Sequence, residues 1–320
     1  MSDALVELLQ HLVNGLSVGT IYALIALGYT MVYGVLKLIN FAHGDVYMVG
    51  AYAGFYLADL LTPGGRAAGD GAAGAMLRAL VVTAGAMAIC GLLGYLIERL
   101  AYRPLRGQAR ITSLITAIGV SFLLEYGFQL QPWGFLPIPF PPGPSPRFFP
   151  ELVRRADWSL GGVSISNYDV IGLAVALALM LGLQFIVFRT RFGTAMRAVS
   201  FDPQVAGLMG IPVNRIISWT FVLGSALAAA AAILNAVPRP QINPLFGLMA
   251  GLKAFVAAVL GGIGSVPGAM VGGLVLGLAE EFVAAYTLSS LKDAIAFTVL
   301  ILVLLFRPEG LFGRITVEKV

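Results

Sequence analysis

The chain has 320 residues, 58% of them hydrophobic and only 11% charged, with a mean hydropathy of +0.89. A soluble domain carries roughly 25% charge, so this composition excludes an ordinary soluble globule and points to an all-α polytopic membrane protein. The net charge of +4 is gathered into a few loops without a basic helix face, which speaks for membrane orientation and against nucleic-acid binding.

Between Glu7 and Lys37 there is no Asp, Glu, Lys or Arg, which is one span with length to spare. No basic region precedes this run and it leads into more apolar sequence, so it reads as a span and not as a cleaved leader. Gly15 and Gly19 formally match a G-x-S-x-G nucleophile elbow, but within an apolar helix they read more simply as a small-xxx-small packing face. Asn40, His43 and Asp45 then crowd into six residues before a second apolar segment that ends near Thr62. Two readings fit them: a turn in which Asn40 or Asp45 caps the next helix, or a re-entrant or broken helix lining a route through the membrane.

A Gly-rich loop, Pro63 to Gly74, precedes a third span, Leu77 to Ile97. Four arginines follow at Arg99, Arg103, Arg106 and Arg110, which mark this boundary as cytoplasmic. The fourth span runs from Ile111 to about Leu130. Residues 131–168 form a long extracytoplasmic loop, and its eight prolines between Gln131 and Pro150 exclude a helix there. Cys90 is the single cysteine, so no intramolecular disulfide exists.

Two further apolar runs, Val170–Phe188 and Ile216–Pro238, flank a basic cytoplasmic segment, residues 189–215. Within it Asp202 can cap a helix whose first residue is Pro203, with Gly210 as the stop and Pro212 just beyond. Pro203 to Met209 would span about 10 Å. Val205, Leu208 and Met209 fall at i, i+3 and i+4 and share one face. Such a helix suits docking to a soluble partner; a plain connector fits the spacing equally well. The run Ala254–Ala279 is uncharged and broken at Gly261–Gly268, either by a tight turn between two spans or by a broken helix. Gly264, Gly268 and Gly272 recur at four-residue spacing, a close-packing signal. A last span, Ala294–Phe306, precedes a short basic tail with Arg314 and Lys319. The count is about eight or nine transmembrane helices in a single domain over residues 1–320. The halves echo faintly: Met48–Gly50 resembles Met270–Gly272, and Tyr102–Pro104 resembles Phe306–Pro308.

Catalytic signatures are missing. There is no Gly-Lys dipeptide and hence no phosphate loop, and no H-E-x-x-H or CxxC. Two histidines, His11 and His43, are too few for a histidine metal cluster. Asp45, Glu125, Glu280 and Glu281 stand singly along the apolar runs, an arrangement unsuited to an embedded enzyme. Asn40, His43, Asn235, Gln241, Asn243 and Ser265 sit at or beside breaks in the apolar runs, which makes them candidates to line a substrate route; capping or interhelical bonding is the plainer role for each.

The stretches Gly15–Gly34, Ile39–Asp45, Glu98–Arg106, Leu208–Pro212 and Lys253–Met270 resemble the LivH-type permease of bacterial branched-chain amino acid ABC importers. The resemblance runs from about Asn14 to Val320, with Gln131–Gly162 fitting least well. It implies an ABC importer permease fold in the inner membrane and a transport subunit with no catalytic residue, metal or cofactor of its own. It also implies partners: a second homologous permease, two cytoplasmic ATPases that bind ATP and magnesium, and an extracytoplasmic amino-acid-binding protein. Asp202–Gly210 would be the helix that couples to an ATPase. The expected cargo is leucine, isoleucine or valine. The alternatives are urea, amides or small carboxylates carried by the same machine, or an ATP-independent channel or carrier.

Overall fold

The computed structural model describes residues 3–62, 71–133, 139–286 and 291–313. Most of the predicted loop Pro63–Gly74 and the basic tail with Arg314 and Lys319 lie outside them. The helices are α1 (Asp3–Leu36), α2 (His43–Leu61), α3 (Ala72–Ile97), α4 (Arg110–Gln129), α5 (Asn167–Arg189), α6 (Arg191–Phe201), α7 (Pro203–Leu208), α8 (Val213–Ala236), α9 (Phe246–Gly261), α10 (Val266–Tyr286) and α11 (Lys292–Phe306). A π turn and a 3-10 turn carry α3 on to Leu105. Among the described residues six helices are long and apolar enough to cross a membrane: α1, extended α3, α4, α5, α8 and α10. The shorter or less apolar α2, α9 and α11 pack among them.

One end is rich in arginine. It gathers the close of α1, the Arg99–Arg106 turn, α6, α7, the start of α8 and the α9–α10 turn. Arg106 reaches Asn214 Oδ1 at 2.5 Å, and Ser200 bonds the Gly34 carbonyl. The opposite end holds the start of α1 and the proline-rich loop, where Gln10 pairs with the Ser164 backbone at 2.8 and 3.0 Å.

α1 is apolar all round and buried along its second half, so it forms the centre. It packs most extensively on α10 and α8, while α3 lies along α8 and α2. Glycine makes these approaches possible. A Cβ on Gly19 would sit 2.9 Å from the Leu274 Cα of α10, and one on Gly15 would sit 3.0 Å from the Leu278 Cα. Gly268 and Gly272 meet Gly261 and Ala257 across the α9–α10 pair in the same way. Gly264 differs from the packing role given it above. Nothing lies within 4 Å of its Cβ position and its φ is +96°, so with Gly262 at +100° it makes the turn. The break at Gly261–Gly268 is therefore a tight turn between two antiparallel helices. Residues after α11 close it: Leu311 and Phe312 donate backbone bonds to the Leu260 and Gly261 carbonyls at 2.8 and 3.0 Å, satisfying the otherwise orphaned end of α9.

Met48–Gly50 and Met270–Gly272 lie in the second turns of α2 and α10, which start at different depths; Tyr102 ends the π turn after α3 and Phe306 ends α11.

The proline-rich loop forms no helix among its described residues, and it packs down. β1 (Arg147–Phe148) pairs antiparallel with β4 (Gln241–Ile242), and Phe149 and Leu152 are buried. β2 (Asp157–Leu160) and β3 (Val163–Ser166) make a hairpin turned by Gly161 and Gly162, both at positive φ.

Candidate functional site

Two places stand out: a protruding helical elbow at the arginine-rich end, and a polar layer halfway along the bundle.

The elbow begins where Thr190 caps α6, its hydroxyl accepting from the Gly193 N–H at 3.1 Å. Asp202 separates α6 from α7 and caps the latter, one carboxylate oxygen accepting from the Gln204 and Val205 N–H groups at 2.8 and 3.0 Å. Pro203 takes the first helical position, where no N–H is needed. α7 ends at Leu208, and Met209 is its C-cap, one residue short of the sequence-based helix. Gly210, at φ +82°, reverses the chain so that the Ile211 N–H reaches the Ala206 carbonyl at 3.1 Å. Ala206 faces inward at 4% exposure, while Val205, Leu208 and Met209 stand 53, 86 and 79% exposed. Phe201, at the end of α6, is 94% exposed and extends the same apolar knob. Neither Phe201 nor α6 as a helix was read from the sequence. Its Thr190 cap was the available signal.

The knob is wired to the bundle. Arg197 bonds the Val187 carbonyl at the end of α5, and Ser200 bonds the Gly34 carbonyl in the last turn of α1. Gly193 leaves room for the α5 backbone to pass against α6.

The polar layer follows from where α2 starts. Lys37 has φ +55° and reverses the chain directly after α1. The chain then climbs back along the bundle before α2 begins at His43. His43 packs against Gly28, which itself lies against Gly224 of α8, and Asp45 bonds Ser121. Gly224 lies about 16 Å along α8 from Val213, and Ser121 about 16 Å along α4 from Arg110. α2 thus begins near the middle of a hydrocarbon core of about 30 Å. No side chain caps it, so neither Asn40 nor Asp45 plays the capping part. Asn40 instead accepts the Tyr102 hydroxyl at 3.0 Å. Near the first turn of α2 a cleft of about 180 Å³ opens between α2, α4 and α9. Tyr29, Gly44, Asp45, Ser121, Gly247 and Gly251 line it, with Phe41 and Leu248 at its exposed rim.

The other route candidates are dispersed. His43 does not line the cleft; it is buried beside Tyr29, ring centroids 4.7 Å apart, and its Nε2 has no partner among the described residues. Asn235 donates to the Tyr47 hydroxyl at 2.6 Å and accepts from Arg239 at 2.9 Å. Gln241 sits in β4, exposed. Asn243 accepts the Leu245 N–H at 2.9 Å before α9, and Ser265 accepts the Gly268 N–H at 3.2 Å before α10. The last two are helix-end residues, and neither lines the cleft.

The acids are not solitary. Glu281 meets Asn14 at 3.0 Å and His11 at 3.2 Å. Glu280 pairs with the buried Lys253 at 2.6 Å and accepts the Tyr22 hydroxyl at 2.8 Å, and Lys253 also reaches Asp293 at 2.7 Å. At the arginine-rich end Glu98, fully buried, is held by Arg103, Arg106 and the Ser218 hydroxyl, the last at 2.5 Å. These networks tie α9 to α10 and α11, and the end of α3 to α8. Among the described residues no group of three His, Cys, Asp or Glu could hold a metal.

Comparison with known proteins agrees with this architecture. Residues 11–304 match the family described as the branched-chain amino acid transport system permease component. The chain is 47% identical over 312 residues to the high-affinity branched-chain amino acid transport system permease protein BraD of Pseudomonas aeruginosa, covering 98% of both. It is 42% identical over 325 residues to the corresponding permease protein LivH of Escherichia coli K12, covering all of both. A probable LivH of the archaeon Methanocaldococcus jannaschii shares 26% over 305 residues, 91% of this chain. With its bundle of apolar helices, the chain is a multi-pass membrane transport subunit that belongs to the family of branched-chain amino acid ABC transporter permeases.

Proposed function

We propose that this chain is the inner-membrane permease of an ATP-driven importer, passing leucine, isoleucine or valine delivered by a soluble binding protein. It works beside a second, homologous permease and two ATPase subunits that bind ATP and magnesium. The observation that carries the coupling part is the α6–α7 elbow: a capped knob whose Phe201, Leu208 and Met209 are largely exposed although apolar. Exposed apolar clusters of this kind mark a partner surface. Arginines concentrated at the same end support a cytoplasmic placement for it.

Closure of the ATPases would move the elbow. Because α6 is tied to α1 and α5 by Ser200 and Arg197, that motion reaches the central helix directly, as a shift between two states of the bundle. The cleft at the start of α2 is the best-placed part of the route. Asp45 and Ser121 offer polar partners to a zwitterion, and Gly44, Gly247 and Gly251 bring α2 and α9 together beside it. The apolar rim at Phe41 and Leu248 is where the second permease would close the passage.

Gentle purification of the tagged chain from its native membrane tests the reading. Recovery of a second permease and two ATPases in fixed ratio supports it. A stable assembly of this chain alone points to a channel or carrier.

A further inference from the structure

A larger cavity, about 580 Å³, lies between α3 and α8 at the arginine-rich end, and none of its lining residues belongs to the elbow or the cleft. Its outer part is basic: Arg99, Arg103 and Arg215 line it, and no Asp or Glu does. Glu98 is fully buried and turned toward Arg103, Arg106 and Ser218. Arg99 is held over the Tyr95 ring, 5.8 Å from its centroid, with a 2.6 Å bond to its hydroxyl, so its only partner there is neutral. Among the described residues the Arg215 side chain has no hydrogen-bond or ion-pair partner.

The inner part is apolar. Met87, Gly91, Leu92 and Val222 form its wall, and Trp219 stands more than half exposed at its side. Gly91 hollows the wall where α3 meets Val222. Met87 also lines a second, apolar cavity of about 370 Å³ that continues the groove between α3, α5 and α8. From Arg99 to Met87 is about 18 Å of helix, close to one leaflet of a hydrocarbon core about 30 Å thick. The groove opens sideways, toward the surface on which Leu92 and Leu96 are exposed.

We propose that this groove binds one anionic phospholipid. Its phosphate sits among Arg99, Arg103 and Arg215, and an acyl chain runs past Gly91 and Val222 toward Met87. A soluble anion would leave the apolar wall unused, and a zwitterionic headgroup would bring its own cation against three arginines. Basic pockets between spans at a cytoplasmic boundary favour anionic headgroups for this reason.

Trp219 reports on the site directly. With Trp133→Phe and Trp158→Phe it becomes the only tryptophan of the full chain. This chain is placed in phosphatidylcholine vesicles containing, at equal mole fraction, phosphatidylglycerol or phosphatidylcholine with brominated acyl chains. Trp219 quenching is expected to show a roughly tenfold preference for the brominated phosphatidylglycerol. Arg99→Gln with Arg215→Gln should abolish that preference and leave quenching by brominated phosphatidylcholine unchanged; Arg103 is kept because it holds Glu98. Equal quenching by the two lipids in the parent chain overturns the proposal. So does the absence of quenching by either, which would mean that protein fills the groove. The parent comparison decides the matter even if the arginine variant fails to fold.

Discussion

The Ser200 hydroxyl donates to the Gly34 carbonyl, joining the helix before the elbow to the last turn of the central helix α1. The two residues are 166 positions apart, and the bond links the helix that leads into the exposed knob directly to the core of the bundle. Ser200→Ala should leave ATPase binding intact and weaken the coupling. Uptake is expected to fall severalfold while ATP hydrolysis by the assembled complex continues. Unchanged uptake per ATP would remove this link from the account.

The apolar face of α7 is the second target. Burying one Leu or Met side chain contributes about 1.5–3 kcal/mol, and Leu208 and Met209 are both exposed here. Leu208→Asp with Met209→Asp should cost at least two orders of magnitude in ATPase affinity, measured by co-purification or interferometry. The melting temperature of the permease itself should not change, because neither side chain packs in the bundle.

Asp202→Ala removes a cap that satisfies two N–H groups. The expected loss is about 1 kcal/mol of local helix stability. Amide exchange at Val205 and Ala206 should accelerate roughly fivefold, with the spans unaffected.

His43 and Gly28 form a size-matched pair. A Cβ on Gly28 would collide with the His43 ring. Gly28→Ala should therefore strongly destabilise the bundle in detergent, and His43→Ala added to it should recover much of the loss. If the double variant melts below both single variants, the packing between α1, α2 and α8 is not as described.

Glu98→Gln leaves Arg103 and Arg106 without their buried counter-charge. Breaking a buried ion pair on one side costs about 3–5 kcal/mol, so a marked drop in thermal stability is expected. A variant as stable as the parent would show that water already compensates these arginines.

How much of this could be read from the sequence depends on the range of each interaction. The spans were visible because charge-free runs are a local property; Glu7 to Lys37 needs no partner to be recognised. The α7 helix was visible for the same reason, since Asp202, Pro203 and Gly210 act within a few residues. What escaped is tertiary. Asp45 and Ser121 are 76 positions apart, and nothing in either stretch announces the other. Lys253 stands at the edge of a run read as apolar, and its partners Glu280 and Asp293 lie on two other helices. Polar residues beside breaks were expected along one route, yet Asn243 and Ser265 serve helix starts and Gln241 a short strand, because a break in an apolar run needs such residues whatever passes through it. Gly264 fitted the four-residue spacing and still became a turn, since spacing does not reveal backbone sign.

The central claim is that transport through this chain is driven by ATPases acting on the α6–α7 elbow. Its most direct test is uptake of radiolabelled leucine into proteoliposomes that hold the purified complex, with the binding protein added outside. The prediction is uptake that requires ATP on the elbow side and vanishes with Leu208→Asp and Met209→Asp. Leucine flux of equal rate without ATP, or through this chain alone, would contradict it.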